Sequence, residues 1–151
     1  MLYFVLQEGI TGYRSDVAFT LTVNGYETGH PDPRDTFKKM LGFFKLSEFY
    51  RVVTSPQYKC VDCKELGWSW RDGSITFCVS GWKWYEGYTV VEAFDEMWKQ
   101  MRSLAEKNDP PVPISGYFIR SGEEMDDTHS ASFGEQPDWD MGYVSKTFHF
   151  E

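Results

Sequence analysis

The sequence predicts an α+β fold: one domain with a mainly antiparallel sheet, and one long and one or two short helices packed on it. Three stretches carry that expectation. Asp16 to Asn24 alternates as a half-buried strand, Leu66 to Val79 reads as a hairpin, and Val90 to about Lys107 repeats apolar residues at helical spacing. The order along the chain is strands, helix, hairpin, helix, strands. That order groups strands together rather than alternating each with a helix, which favours antiparallel pairing.

Taken in order, Leu2 to Gln7 is a short apolar run ended by Glu8-Gly9, too short for a helix and suited to a strand. In the second strand Val17, Phe19, Leu21 and Val23 share one face, with Ala18, Thr20, Thr22 and Asn24 on the other. Asn24-Gly25 suits a tight hairpin turn, with a short return strand through Tyr26 before Gly29 and Pro31. Asp32 is expected to cap a helix that starts at Pro33, with Asp35 near the positive end of its dipole. Phe37, Met40, Leu41 and Phe44 form its apolar stripe. Gly42 costs roughly 1 kcal/mol relative to alanine, so this helix is expected to stay short. Leu46 to Thr54 fits a second helix or a strand.

The hairpin is expected to turn at Asp72-Gly73, which pairs Trp70 with Ile75, Trp68 with Phe77, Leu66 with Val79 and Gly67 with Cys78. In the long helix Thr89 and Glu92 have capping-box spacing, and Val90, Phe94, Met97, Met101 and Leu104 form the stripe, widened by Val91, Trp98 and Ala105. Asn108-Asp109-Pro110-Pro111 stops it. Ser115 to Arg120 and Tyr143 to Phe150 read as strands. Thr128 to Phe133 fits between them as the middle of a meander.

The chain has 151 residues, a single-domain length that buries roughly 70% of the unfolded surface. Aromatics make up 18%, against the pattern of disordered chains. No apolar run approaches the ~18 residues of a membrane span, and the start lacks the basic region of a secretory signal, so a cytoplasmic protein is expected. If the protein is of phage origin, that is the host cytoplasm. The net charge of −8 makes the chain as a whole a poor direct binder of nucleic-acid phosphates, whose affinity comes from Lys and Arg.

The cysteines are Cys60, Cys63 and Cys78. Cys60-x2-Cys63 is half of a zinc knuckle, and a third thiolate follows. Zinc wants a tetrahedron, so a structural site needs a fourth ligand, for which His30, His129 and His149 are the candidates. With Cys78 opposite Gly67, an extended chain would hold Cys63 roughly 13 Å away, so the site requires the chain to fold back before Leu66. The plainer reading is three reduced thiols, small residues that pack like hydrophobes. A redox pair is disfavoured by the lack of a βαβ context.

The other signal is acidic. Segment 121–145 holds Glu123, Glu124, Asp126, Asp127, Glu135, Asp138 and Asp140 with no Lys or Arg, so almost all the net charge lies in one sixth of the chain. Solvated loops are the plainest explanation. A surface that meets a basic partner is the second, since clustered carboxylates can imitate a row of phosphates. A divalent-cation site is the third, although Glu123 to Asp127 does not match an EF-hand loop. Phe133 and Trp139 would anchor such an interface or close the edge of the core. If Thr128 to Phe133 is a strand, the two acidic loops fall at opposite ends of the meander and one continuous patch is hard to build.

Catalytic motifs are missing from the sequence: there is no Gly-rich phosphate loop, no Gly-x-Ser-x-Gly and no His-Glu-x-x-His. Trp82 to Tyr85 could stack bases, but without a basic groove core packing suits it better. In composition alone the chain resembles small phage and mobile-element proteins that inhibit host nucleases, a resemblance that carries no residue correspondences. The expectation is a non-catalytic binding protein whose acidic segment, with Trp139, docks on a basic surface of a nucleic-acid-handling protein. The alternatives are a small zinc-stabilised interaction module and a metal-dependent phosphodiester hydrolase that uses the same carboxylates.

Overall fold

A computed structural model describes residues 13–26, 32–56 and 64–135. The expected strands Leu2 to Gln7 and Tyr143 to Phe150 lie outside the described residues. Within them the α+β architecture is as expected: five antiparallel strands with helices on one face. The strands are β1 (Ser15–Val23), β2 (Lys64–Ser69), β3 (Ser74–Trp82), β4 (Ile114–Gly122) and β5 (Thr128–Phe133), in spatial order β2-β3-β1-β4-β5. The helices are α1 (Pro33–Leu46), α2 (Glu48–Val53) and α3 (Thr89–Glu106).

β1 is the centre of the sheet because its alternation is the cleanest. Val17, Phe19, Leu21 and Val23 are all buried under the helices. Phe19 is the hub, with ring centroids 5.4 Å from Phe77, 5.6 Å from Phe49, 5.7 Å from Phe94 and 6.2 Å from Phe44. One residue thus joins the sheet to all three helices. β3 and β4 take both sides of β1, so a strand returning through Tyr26 cannot pair with it as a hairpin, and the residues after Tyr26 lie outside the described ones. Instead the Asn24 amide donates to the Pro113 carbonyl at 2.8 Å, and the Val23 amide to that of Gly73 at 2.9 Å, tying the turn to two other connections.

The helices form where the stripes place them, but their starts differ. Asp32 is left-handed at φ 45, and its side chain does not cap α1; its backbone carbonyl accepts from the Asp35 and Thr36 amides at 3.1 and 3.0 Å. α1 also runs through Gly42 for 14 residues, since Phe37, Met40, Leu41 and Phe44 are all buried and outweigh one weak position. The Leu46 to Thr54 ambiguity resolves to helix. The Ser47 hydroxyl accepts the Tyr50 amide at 3.2 Å and donates to the Phe44 carbonyl at 2.6 Å, so one residue ends α1 and starts α2. The expected capping box at Thr89 is absent: Tyr88 is the N-cap, and its carbonyl accepts the Glu92 amide at 2.9 Å.

The hairpin forms with its register moved by two residues. Trp68 lies opposite Ile75, Leu66 opposite Phe77, and Glu65, not Gly67, opposite Cys78. The loop is four residues, 70–73, rather than two. Ser69 causes this: its carbonyl accepts the Gly73 amide at 2.9 Å, and its hydroxyl accepts the Asp72 amide at 3.1 Å. Gly73 sits at φ +66 with the Tyr26 ring packed against it, which leaves no space for a side chain. A shift of two keeps every residue on its face, so the pattern of buried positions survives.

Candidate functional site

β4 and β5 form the hairpin whose tip is the first acidic loop. The Gly122 amide donates to the Asp127 carbonyl at 2.7 Å, and the Asp127 amide to that of Glu124 at 3.0 Å, closing a tight loop. Glu123, Glu124 and Asp126 are exposed on it, and Met125 at the tip is 100% exposed.

Asp127 faces the other way. The Arg120 guanidinium donates to both of its carboxylate oxygens at 2.7 and 3.2 Å, a bidentate pair, and also to the Ser15 hydroxyl at 3.1 Å. The Tyr13 hydroxyl donates to Asp127 Oδ2 at 2.6 Å and accepts the Glu124 amide at 3.1 Å. Hydrogen bonds from Arg120 and then Tyr13 hold the Asp127 carboxyl down at about 2. The same contact pushes the Tyr13 hydroxyl above its ordinary value. Glu123 in turn accepts the Arg14 backbone amide at 2.7 Å, while the Arg14 side chain donates to the Gly81 carbonyl at 2.8 Å. Gly122 permits the approach, because a side chain there would meet the Tyr13 hydroxyl and the Asp127 carboxylate.

The acids therefore divide by role. Asp127 locks the loop, Glu123 is partly engaged, and Glu124 and Asp126 point to solvent. Glu135 follows the far end of β5, and a six-residue strand places it roughly 17–20 Å from the loop. With Thr128–Phe133 a strand, the first acidic loop and Glu135 fall at its opposite ends, the arrangement that makes one continuous patch hard to build. Asp138, Trp139 and Asp140 lie outside them. Phe133 closes the core edge, its ring 4.9 Å from that of Trp98. Trp82 and Trp84 also serve packing, against Phe77 at 6.1 Å and Phe94 at 5.6 Å.

Of the expected zinc ligands, Cys60 and Cys63 lie outside the described residues. Cys78 sits on the face of the sheet opposite Phe77, its thiol 3.7 Å from the Glu65 carboxylate. His129 lies on β5, its ring 6.3 Å from that of Phe118. Among the described residues no three His, Cys, Asp or Glu side chains stand together as a metal would need, and no helix is long and apolar enough to cross a membrane.

Sequence reasoning missed Tyr13, Arg14, Ser15, Arg120 and Gly122. Arg120 had a signal: it is the residue just before the acid-only window, three positions before Glu123. Tyr13 had none, because it meets Asp127 from 114 positions away.

The fold and the loop define a class, a small α+β domain with a braced acidic hairpin loop. No protein-family model matches the sequence, and no curated protein shows significant similarity to it.

Proposed function

We propose that this is a non-catalytic binding protein that presents the acidic β4–β5 loop to a basic surface of a nucleic-acid-handling protein, and so occupies a site that nucleic acid otherwise uses. The supporting observation is the bracing of the loop. Arg120, Tyr13 and Asp127 hold it from inside, so Glu123, Glu124, Met125 and Asp126 are displayed with little ordering left to do on binding. Carboxylates at the rim of an interface speed encounter with a cationic surface and make binding sensitive to salt. Met125 adds an apolar contact at the tip.

The roles also decide which residues to change. Glu123→Gln, Glu124→Gln and Asp126→Asn remove display charge, whereas Asp127 must stay because it holds the loop. Capture of nucleic-acid-processing proteins by the wild type at low and high salt, and loss of that capture in the triple variant, is the expected result. Equal capture by the triple variant contradicts the reading.

A further inference from the structure

A second surface lies at the opposite edge of the sheet, independent of the acidic loop. β2 ends the strand order and is bonded only to β3 among the described residues. It carries no proline, and its pairing with β3 is continuous, so neither of these devices blunts it. On the helix side of this edge, α1 displays Arg34, Lys38 and Lys45 at positions i, i+4 and i+11, one stripe of the helix. Lys45 Nζ sits 4.6 Å from the centroid of the Trp68 ring, and Arg34 Cζ 5.8 Å from that of Trp70. Those rings are 36% and 40% exposed, two of only five large apolar side chains exposed among the described residues. Asp32 and Asp35 lie at the start of α1, and three further acids near the edge are engaged or turned away. Asp72 pairs with Arg71 at 3.5 Å, Glu48 pairs with Arg51, and Glu65 belongs to the other face of the sheet.

We propose that the outer edge of β2 receives an extended acidic segment of a protein partner as an added strand. Arg34, Lys38 and Lys45 take its carboxylates, and Trp68 and Trp70 take its apolar side chains. An added strand bonds through its backbone and presents alternate side chains to one face, here the helix face where the cations and rings lie. Single-stranded nucleic acid fits less well. It lacks the alternating N–H and C=O groups at strand spacing that would continue the ladder of β2.

The test uses the full chain with isotope-labelled amides and three probes: an octapeptide of two Glu-Thr-Val-Thr repeats (the Glu/Val peptide), which places Glu and Val in turn on one face, its counterpart with Lys for Glu (the Lys/Val peptide), and an oligothymidine. The Glu/Val peptide is expected to shift and protect the amides of Lys64–Ser69, and the Lys/Val peptide to leave them unchanged. Arg34→Glu with Lys45→Glu, both at exposed helix positions, is expected to weaken binding about tenfold or more. Lys99→Glu on α3 and the triple loop variant are expected to bind as the wild type does, which separates this site from the acidic loop. No response at β2, equal binding of the Lys/Val peptide, or unchanged affinity in the double variant overturns the proposal. So does a β2 response to oligothymidine in place of the acidic peptide.

Discussion

At Asp127 a guanidinium and a phenol converge on one carboxylate, and this contact sets the pH range of the loop. The folded value, about 2, lies below the ordinary 3.8. A depressed carboxyl contributes stability that is present above its unfolded value and is lost as pH falls through its folded one. The brace should therefore hold at neutral and mildly acidic pH and loosen only between about pH 4 and 2, read from the Glu124 amide shift across a titration. Arg120→Met should return the Asp127 titration toward 3.8, and no upward movement would show that Arg120 is not its cause. Trp98 is a different case. Its indole N–H is buried without an acceptor among the described residues, while its ring stacks on Phe94 at 5.5 Å. Trp98→Phe loses no hydrogen bond, so in urea unfolding it should cost clearly less than the ~3–5 kcal/mol expected of Trp98→Ala.

Among the elements, those with long unbroken periodicity were legible from residues alone. β1 and α3 follow from Val17-x-Phe19-x-Leu21-x-Val23 and from the Val90 to Met101 stripe, because burying one face leaves little freedom to misread. The hairpin register was not legible, because a shift of two puts the same side chains on the same faces. The Ser69 hydroxyl, which chose between the two registers, carries no periodic signal. Helix starts were also obscure: Asp32 and Thr89 have capping chemistry, but neither backbone places that side chain over the exposed amides. The observed loop can be tested at Gly73. Gly73→Ala forces a side chain into a φ of +66 and against the Tyr26 ring, and should destabilise the fold by about 1 kcal/mol or more in thermal or urea unfolding. A neutral result would contradict the positive φ and the Tyr26 contact assigned to this position.

Across the whole molecule, charge is sorted more finely than the net −8 suggests. The sequence located the acids in segment 121–145 but not their division, because Arg120 falls just outside that segment and Tyr13 reaches it only through the fold. The described residues resolve one braced acidic loop at one end of β5, Glu135 beyond the other end, and a cationic, aromatic strip at the β2 edge. Exposed carboxylates interact through a field that salt screens within about 8 Å at physiological ionic strength. Binding through the loop should therefore weaken steeply with added salt while the melting temperature changes little. The most direct measurement compares capture of nucleic-acid-processing proteins by the wild type and by the Glu123→Gln, Glu124→Gln, Asp126→Asn variant at low and high salt, with melting recorded for both. Salt-sensitive capture that the variant loses at an unchanged melting temperature is the predicted result, and capture that survives in the variant would contradict it.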